Sequence, residues 1–183
     1  KVALADGRNL SFKELIEEEK IGKINYCYTI KYNGEIGLEK ITAPRLTKKN
    51  ASVIKITLDT DEEIICTPEH LFMLRDGSYA EAQNLTADMS LMPLYKKISA
   101  IGGRVTIAGY EMILNTSNNK WKFTHMLSDE YNLENNLYQK IVGGHRHHKD
   151  FNKKNNNPDN LICISKESHL RIHREQAYKT LHR

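Results

Sequence analysis

The stretch HRHHKDFNKKNNNPDNLICISKESHLRIH, from His145 to His173, decides how this chain is interpreted. It contains five of the eight histidines in the 183-residue sequence. His147 and His148 are adjacent, whereas His169 and His173 are separated by four positions. Several imidazoles at such spacing are typical of metal-binding sites. The stretch therefore predicts a compact metal-binding unit.

The local structure of this stretch follows from its turn and cap signals. The segment NLICI, which begins at Asn160, is apolar and rich in isoleucine, and a Pro-Asp pair precedes it, so a short β-strand is expected. Ser165 is suited to cap a helix, and KESHLRIHREQAYKTL follows it without glycine or proline. We therefore expect two strands and a helix over about residues 141–181.

The chemistry of the histidines follows from their positions on these elements. Neighbouring side chains of a strand point to opposite faces, so His147 can face a metal while His148 faces a water molecule. His169 and His173 share one helical face, which suits metal ligation. His148 is then the candidate base for the water that attacks a phosphodiester. We expect Asn160 to accept a hydrogen bond from His148 and to fix its tautomer.

Together these residues resemble the HNH family of nucleases, over roughly the last forty residues. The motifs HHKD, an Asn-rich turn, NPDNL and two helical histidines occur in the family's order. The resemblance implies a ββα-metal motif that cuts or nicks double-stranded DNA at a specific site. It also implies that His148 is the general base, that Asn160 orients it, and that the metal ligands are His147, His169 and His173.

A ligand set of three histidines does not decide which metal ion is bound. The resemblance implies a divalent ion, with Mg²⁺ or Mn²⁺ expected in the cell. Imidazole suits transition metals better than magnesium, so Zn²⁺ or Ni²⁺ stays an alternative. A closed structural zinc site that adds Cys163 to the three histidines is a rival, in which case the unit binds DNA without cutting it.

The first half of the chain has a different pattern. Short alternating segments such as INYCYTIKYNG and SVIKITLDTDEEIICT predict β-hairpins, with Asn33-Gly34 and Asp76-Gly77 as turn signals. The segment SFKELIEEEK predicts a helix that Ser11 caps and that ends at Gly22. This half is therefore expected to be a mostly-β unit.

The segment CTPEHLFMLRDGSYAEAQNLTADMSLMPL, from Cys66 to Leu94, resembles the Thr-x-x-His block of Hint domains, the self-processing fold of inteins. By this resemblance Thr67 and His70 would polarise a peptide bond for splicing. The chain shows neither an opening nucleophile nor a terminal His-Asn, so as written it is not expected to splice. An alternative function is that of a Hint fragment that splices only with missing intein segments or a host protein.

These patterns predict an α+β fold of two parts. Residues 1–97 are expected to form a partial Hint-type β domain, and residues 98–183 an HNH domain of the type found in intein-associated homing endonucleases. The segment YKKISAIGGR, from Tyr95 to Arg104, is the expected linker because of its paired glycines.

Charge supports a nucleic-acid partner for the second part. The net charge is +4, and residues 98–183 hold 13 Lys and Arg against 8 Asp and Glu, whereas residues 1–97 hold 14 against 15. A basic excess of this kind attracts phosphate, although it can also mark only a solvated surface. The candidate DNA-binding residues are Lys120, Lys122, Lys149, Lys153, Lys154, Arg171 and Arg174.

The segment between linker and histidine stretch predicts two strands joined by the turn NTSNN. Trp121 and Phe123 alternate there with lysines, a pattern that suits DNA contact or a small core around the Trp. The segment SDEYNLENNLYQKIV predicts a helix. His125 is expected to be structural, and His145 and His182 are expected to lie on the surface.

Composition places the chain among ordinary globular proteins, with 39% hydrophobic residues. Three widely spaced cysteines without a Cys-x-x-Cys motif argue against a disulfide framework. No apolar run reaches the length of a membrane span. The sequence therefore predicts a soluble cytoplasmic protein with no membrane partner, and it leaves a homodimer open.

Overall fold

A computed structural model describes residues 1–102, 105 and 107–181. Its helices are α1 (Phe12–Lys20), α2 (Thr124–Glu134) and α3 (Lys166–Leu181). Its strands are β1 (Val2–Ala3), β2 (Asn9–Leu10), β3 (Tyr26–Ile30), β4 (Ile36–Lys40), β5 (Ile54–Thr57), β6 (Glu63–Cys66), β7 (Leu71–Met73), β8 (Tyr79–Glu81), β9 (Lys96–Ile98), β10 (Glu111–Asn115), β11 (Lys120–Phe123), β12 (His145–His148) and β13 (Leu161–Ile164). The predicted α+β class is confirmed.

The strands pair into small antiparallel sheets. Within the described residues, β9, β10 and β11 form a three-stranded sheet in which β10 is central, and the other strands pair two by two in chain order. Hairpins of this kind form from neighbouring segments, which is why their turn signals are readable in the sequence. In that same part of the chain, no helix combines the length and the apolar character that crossing a membrane requires.

The chain divides into two compact units. The first joins residues 1–44 to the part from Tyr95 onwards, and the second comprises residues 45–94. This division differs from the predicted boundary at residue 97, and a partial Hint domain followed by an HNH domain is not confirmed. The predicted linker contributes β9, while its residues Gly103 and Arg104 lie outside the described part.

The first unit has a core drawn from both of its chain segments. Tyr26, Ile36 and Leu38 of the β3–β4 hairpin share one buried cluster with Ile113 of β10 and Leu127 of α2. Burial of such side chains stabilises by roughly 1.5–3 kcal/mol each. The early hairpin therefore belongs to the same folded unit as the histidine stretch.

The predicted helix near the start of the chain is confirmed as α1. The Ser11 side chain accepts a hydrogen bond from the backbone N–H of Glu14, and the Glu14 carboxylate accepts one from the backbone N–H of Ser11. This reciprocal capping box satisfies two backbone donors that the first turn would leave unpaired. The helix ends at Lys20, two residues before Gly22, whose φ is 77°.

The second unit consists of the β5–β6 and β7–β8 hairpins and a 3₁₀ turn at Ala82–Asn84. The predicted turn at Asp76-Gly77 joins β7 to β8: the Asp76 carboxylate accepts from the Ser78 backbone N–H at 2.9 Å, and Gly77 takes a φ of 89°. Only glycine adopts that conformation without strain. Ala82 is buried in this unit.

Helix α2 differs from its prediction, which placed a helix over residues 128–142. It begins earlier, at Thr124, and ends at Glu134, because Asn136 takes a φ of 56° that no helix can continue through. Apart from Leu127, its buried residues are polar. Ser128 donates to the Asn156 carbonyl oxygen, Asn132 donates to the Pro158 carbonyl oxygen at 2.8 Å, and Asp129 pairs with Arg146.

The predicted strand–turn–strand–helix over the histidine stretch is confirmed. In β12 and β13, His147 pairs with Ile162 and His148 with Leu161. A 3₁₀ turn at Pro158–Asn160 leads into β13. Ser165 then accepts a hydrogen bond from the Ser168 backbone N–H at 3.2 Å, and α3 follows.

Gly144, the residue directly before β12, lies where there is no room for a side chain. A Cβ atom added there would lie 2.8 Å from the Cys163 sulfur and 2.8 Å from the Ile141 carbonyl oxygen. We expect Gly144→Ala to lower the free energy of unfolding by about 1–3 kcal/mol through overpacking, measured by urea denaturation. Gly102→Ala is the control, since its added Cβ has no atom of the described residues within 4 Å apart from its chain neighbours. Equal effects of both substitutions would contradict this prediction.

Candidate metal centre

Three histidines converge between β12 and α3. One ring nitrogen from each of His147, His169 and His173 lies within 4.8 Å of the other two. The ring centroids of His169 and His173 are 4.5 Å apart, and that of His147 lies 5.0 Å from His173. The structure thus brings together the three residues that the sequence predicted as ligands.

The convergence follows from two periodicities. His147 of β12 pairs with Ile162 of β13, and because side chains alternate along a strand, His147 and His148 lie on opposite faces of β12. In α3, the spacing of four residues places His169 and His173 one above the other. A strand residue and one turn of helix are therefore sufficient to form the cluster.

The electrostatics favour the neutral form of His147 and His169. Burial, followed by the nearby charges of His173 and His169, lowers the pKa of His147. Burial, followed by the charge of His173, also lowers the pKa of His169. Neutral imidazole is the form that coordinates metal. The arrangement therefore favours, for His147 and His169, the form that can coordinate a metal.

The residues fit a divalent ion with room for an outside ligand. Three protein nitrogens leave a tetrahedral ion one further position, as in metal sites that bind water or a substrate. Cys163 pairs with Arg146 across the strands, so it faces away from His147. In the portion of chain described, the convergent group does not include it. A closed site of three histidines and Cys163 is not formed.

His148 faces the opposite side of β12 and is buried. Its Nε2 atom lies 3.0 Å from the Asn156 side-chain oxygen, which can only accept, so Nε2 carries the hydrogen. The Asn156 amide nitrogen donates to the Lys154 carbonyl oxygen at 3.3 Å and supports that orientation. The backbone N–H of Asn156 donates to the Ala5 carbonyl oxygen at 2.9 Å.

Asn160, the predicted partner of His148, lies elsewhere. Its amide nitrogen donates to the Asp150 carboxylate at 2.9 Å and to the Asn155 carbonyl oxygen at 2.8 Å, while its side-chain oxygen accepts from the Asp150 backbone N–H. Asn160 thus fixes the loop between the two strands. The predicted hydrogen bond from His148 to Asn160 is corrected to Asn156. Four asparagines lie within six residues there, and no signal in the sequence separates them.

His125 borders His148 on this side. The two ring centroids are 6.0 Å apart, and Tyr110 contacts both rings. Burial, followed by the charges of His148 and Arg146, lowers the pKa of His125 to about 4. Its Nδ1 atom is buried and, among the described residues, makes no hydrogen bond. The sequence placed His125 outside the site, whereas the structure places it beside His148.

The predicted surface position can be checked for His145 but not for His182. His145 is exposed, and its ring stacks on His169 at 5.0 Å with an interplanar angle of 24°. In the described part of the chain, His145 is not a member of the converging group. His182 lies outside the described residues.

The predicted DNA-binding residues differ in how their charge is compensated. Lys122 forms an ion pair with Glu130 at 2.5 Å. Lys149 and Lys153 donate to the neutral carbonyl oxygens of Asp159 and Ala108, so their charge is not neutralised by those contacts. The remaining predicted residues have exposed side chains; they are Lys120, Lys154, Arg171 and Arg174.

Thr67 and His70 belong to the second unit. The Thr67 carbonyl oxygen accepts from the His70 backbone N–H at 3.1 Å, and the His70 ring packs edge-on against Phe72 at 5.0 Å. His70 is exposed. These contacts close a turn before β7.

The fold and the site define an α+β protein with a candidate metal centre formed by a strand and a helix. No family model matches the chain. The chain is 57% identical, over all of its 183 residues, to a stretch of the B subunit of DNA gyrase from Synechocystis sp.. It spans 17% of the length of that relative.

This similarity contradicts the function predicted from the sequence. The matching relative carries the name of a DNA gyrase component, not that of an HNH nuclease, a homing endonuclease or an intein. The assignment to an intein-associated HNH endonuclease that cuts a specific DNA site is therefore corrected. The same finding removes the Hint splicing fragment and the zinc-stabilised module as assignments. The functions predicted for Thr67 and His70 depended on the Hint assignment.

Proposed function

We propose that this chain is part of a protein of the gyrase type, related to its B subunit, and that it contributes a divalent-metal site that contacts DNA. The convergence of His147, His169 and His173 is the observation that carries the proposal. The 57% identity to a component of an enzyme named for its action on DNA supports the choice of DNA as partner. An enzyme is therefore the class to which we assign the whole protein.

The ion would be held by the three imidazoles of the β12–β13–α3 module. When bound, it would supply positive charge and an open position for an anionic oxygen, such as one of the DNA backbone. Imidazole ligands favour transition ions over Mg²⁺. We therefore propose Mn²⁺ ahead of Mg²⁺ as the ion. His148 and Asn156 line the other face of β12 and keep that strand in place.

Positive side chains on the surface would extend the DNA contact beyond the ion. Lys149, Lys153 and Lys154 lie in the loop that follows β12, and Arg171 and Arg174 lie on α3, the helix that also carries two ligands. Each lysine or arginine that neutralises a phosphate releases counterions, so binding weakens as salt rises. This set retains the sequence-based proposal for DNA contact, without Lys120 and Lys122 of β11.

The test measures duplex binding with and without metal. Calorimetry first gives the affinity of the full 183-residue chain for Mn²⁺, Mg²⁺, Ni²⁺ and Zn²⁺. Fluorescence anisotropy then gives the affinity for a labelled DNA duplex in each metal and in EDTA. We expect Mn²⁺ to bind more tightly than Mg²⁺ and to strengthen duplex binding at least about tenfold, because one charge-assisted contact to an anion contributes about 1.5–3 kcal/mol.

Two results would overturn this proposal. One is the absence of saturable metal binding to the folded chain. The other is metal binding that leaves duplex affinity unchanged, which would limit the ion to a structural role. The state of the DNA after incubation is read on the same samples by gel electrophoresis, so that affinity is measured on intact strands.

A further inference from the structure

One face of the β9–β10–β11 sheet presents several aromatic rings. Leu114 pairs with Trp121 on one side, and its backbone N–H donates to the Tyr95 carbonyl oxygen on the other. Side chains directly opposite each other in a sheet share a face. Tyr95 and Trp121 therefore flank Leu114 on one surface. In the next row on that face, Met112 pairs with both Phe123 and Lys97.

The series continues toward the candidate metal centre. The rings of Phe123 and His125 stack at 5.3 Å with an interplanar angle of 25°, and Tyr110 packs edge-on against both. His148 ends the series at 6.0 Å from His125. We call the set Tyr95, Trp121, Phe123, Tyr110, His125 and His148 the aromatic strip. It runs from the sheet surface to the strand that carries His147.

The strip carries positive charge that no carboxylate compensates within the described contacts. The Lys97 ammonium lies 4.0 Å over the Trp121 ring, and the Lys153 ammonium lies 5.3 Å over the Tyr110 ring. On the opposite face of the sheet the arrangement differs. Lys96 pairs with Glu111 at 3.2 Å, and Lys122 pairs with Glu130. The lysines beside the rings are thus available to an anion.

The exposure of the rings decides which anionic partner fits. Tyr95 is 53% exposed and Trp121 is 37% exposed, whereas His148 is 7% exposed. Rings at the open end can receive flat groups, and neighbouring cations can receive phosphate. A single strand of nucleic acid offers both along its length, because unpaired bases have free faces. The bases of a duplex are already stacked on one another and offer none at the surface.

We infer that the aromatic strip binds an unpaired DNA strand, with one base stacked on Tyr95. The Lys97 ammonium, which lies over the Trp121 ring, moves to a phosphate so that a second base takes its place on that ring, and Lys153 lies beside a further phosphate. The inference relies on the proposed function only in taking DNA as the partner. It adds a second contact that needs no metal. A protein that holds a duplex at the metal centre would thereby also hold a locally opened strand.

The sequence offers an intrinsic probe for this contact, because Trp121 is its one tryptophan. Short oligo(dT) is titrated into the full chain in EDTA while tryptophan emission is followed. We expect saturable quenching by the single strand and none by a duplex of equal length. Tyr95→Ala should weaken single-strand binding about tenfold, since one stacked base contributes about 1–3 kcal/mol. Anisotropy of labelled oligo(dT) measures the affinity of each variant.

The matched control is Tyr32→Ala. Tyr32 is fully exposed in the turn between β3 and β4, outside the strip, so its removal should leave the affinity for oligo(dT) unchanged. Circular dichroism confirms that both variants fold. Equal quenching by single strand and duplex would overturn the inference, as would unchanged affinity in Tyr95→Ala. If the single strand quenches tryptophan emission but metal has no effect on duplex binding, the inference holds and the proposed function fails. If metal strengthens duplex binding but the single strand does not quench, the proposed function holds and the inference fails.

Discussion

Replacing His173 with alanine is expected to lower the affinity of the chain for divalent ions by about 100-fold or more. Losing a residue that merely orients a ligand typically costs about 10–100-fold, so losing one of three ligands should cost at least the upper value. His173 is exposed on α3, a helix without buried residues in the part of the chain that is described. The substitution should therefore leave the fold intact. Calorimetric titration with Mn²⁺ measures the effect.

The structure provides a close control in His145→Ala. His145 stacks on His169 and lies on the same side of β12 as His147, but it is not part of the converging group. Its removal should change metal affinity by less than about tenfold, the lower value for residues that support a ligand. Duplex affinity in Mn²⁺ should follow metal affinity in both variants. If the two substitutions weakened metal binding equally, the ligand set would be wrong.

The convergence of the three histidines could be predicted because it depends on local geometry. Alternation along β12 separates His147 from His148, and one turn of α3 brings His169 to His173. The hairpin turns and the capping box of α1 are local in the same sense. Each is fixed by residues within a few positions of one another, so the sequence pattern is sufficient.

The surroundings of His148 could not be predicted, because they depend on distant residues. Asn156 is held against His148 by the Ala5 carbonyl oxygen and by Ser128 of α2. Ala5 lies more than one hundred residues from Asn156 in the sequence, and Ser128 lies 28 residues from it. No spacing pattern in the sequence predicts such contacts. The predicted boundary at residue 97 differed from the structure for the same reason. The core joins Leu38 to Ile113 and Leu127.

The second large effect is expected from the buried ion pair of α2. The Asp129 carboxylate accepts from the Arg146 guanidinium at 2.6 and 2.9 Å and from the Tyr138 hydroxyl at 2.6 Å. The Asp129 side chain is 3% exposed and that of Arg146 is 27% exposed. Asp129→Ala would leave the guanidinium and the hydroxyl without this acceptor. We expect the free energy of unfolding to fall by about 3 kcal/mol, the lower end for broken buried pairs, because water still reaches Arg146.

A carboxylate on the same helix provides the comparison. Glu134 ends α2 and pairs with Lys31 at 2.6 Å, but its side chain is 57% exposed. Exposed pairs contribute at most about 1 kcal/mol, so Glu134→Ala should have a much smaller effect in urea denaturation. A similar fall in the free energy of unfolding in the two variants would show that the burial of the Asp129–Arg146 pair does not make it more stabilising than the exposed Glu134–Lys31 pair. In that case Asp129 would not be what fixes β12 to α2.

The pH dependence of stability gives an independent test of the same carboxylate. Burial alone would raise the pKa of Asp129, but the hydrogen bonds from Arg146 and Tyr138, with the Arg146 charge, together lower it below the ordinary value. A lowered folded-state pKa stabilises the protein above the unfolded-state pKa, and this contribution disappears as pH falls through the folded-state value. Wild type should therefore lose more stability on acidification than Asp129→Asn, which cannot titrate there. Parallel stability curves for the two proteins would show that the Asp129 carboxylate is not held ionised by Arg146, and the anchoring of the strand that carries His147 would need another cause.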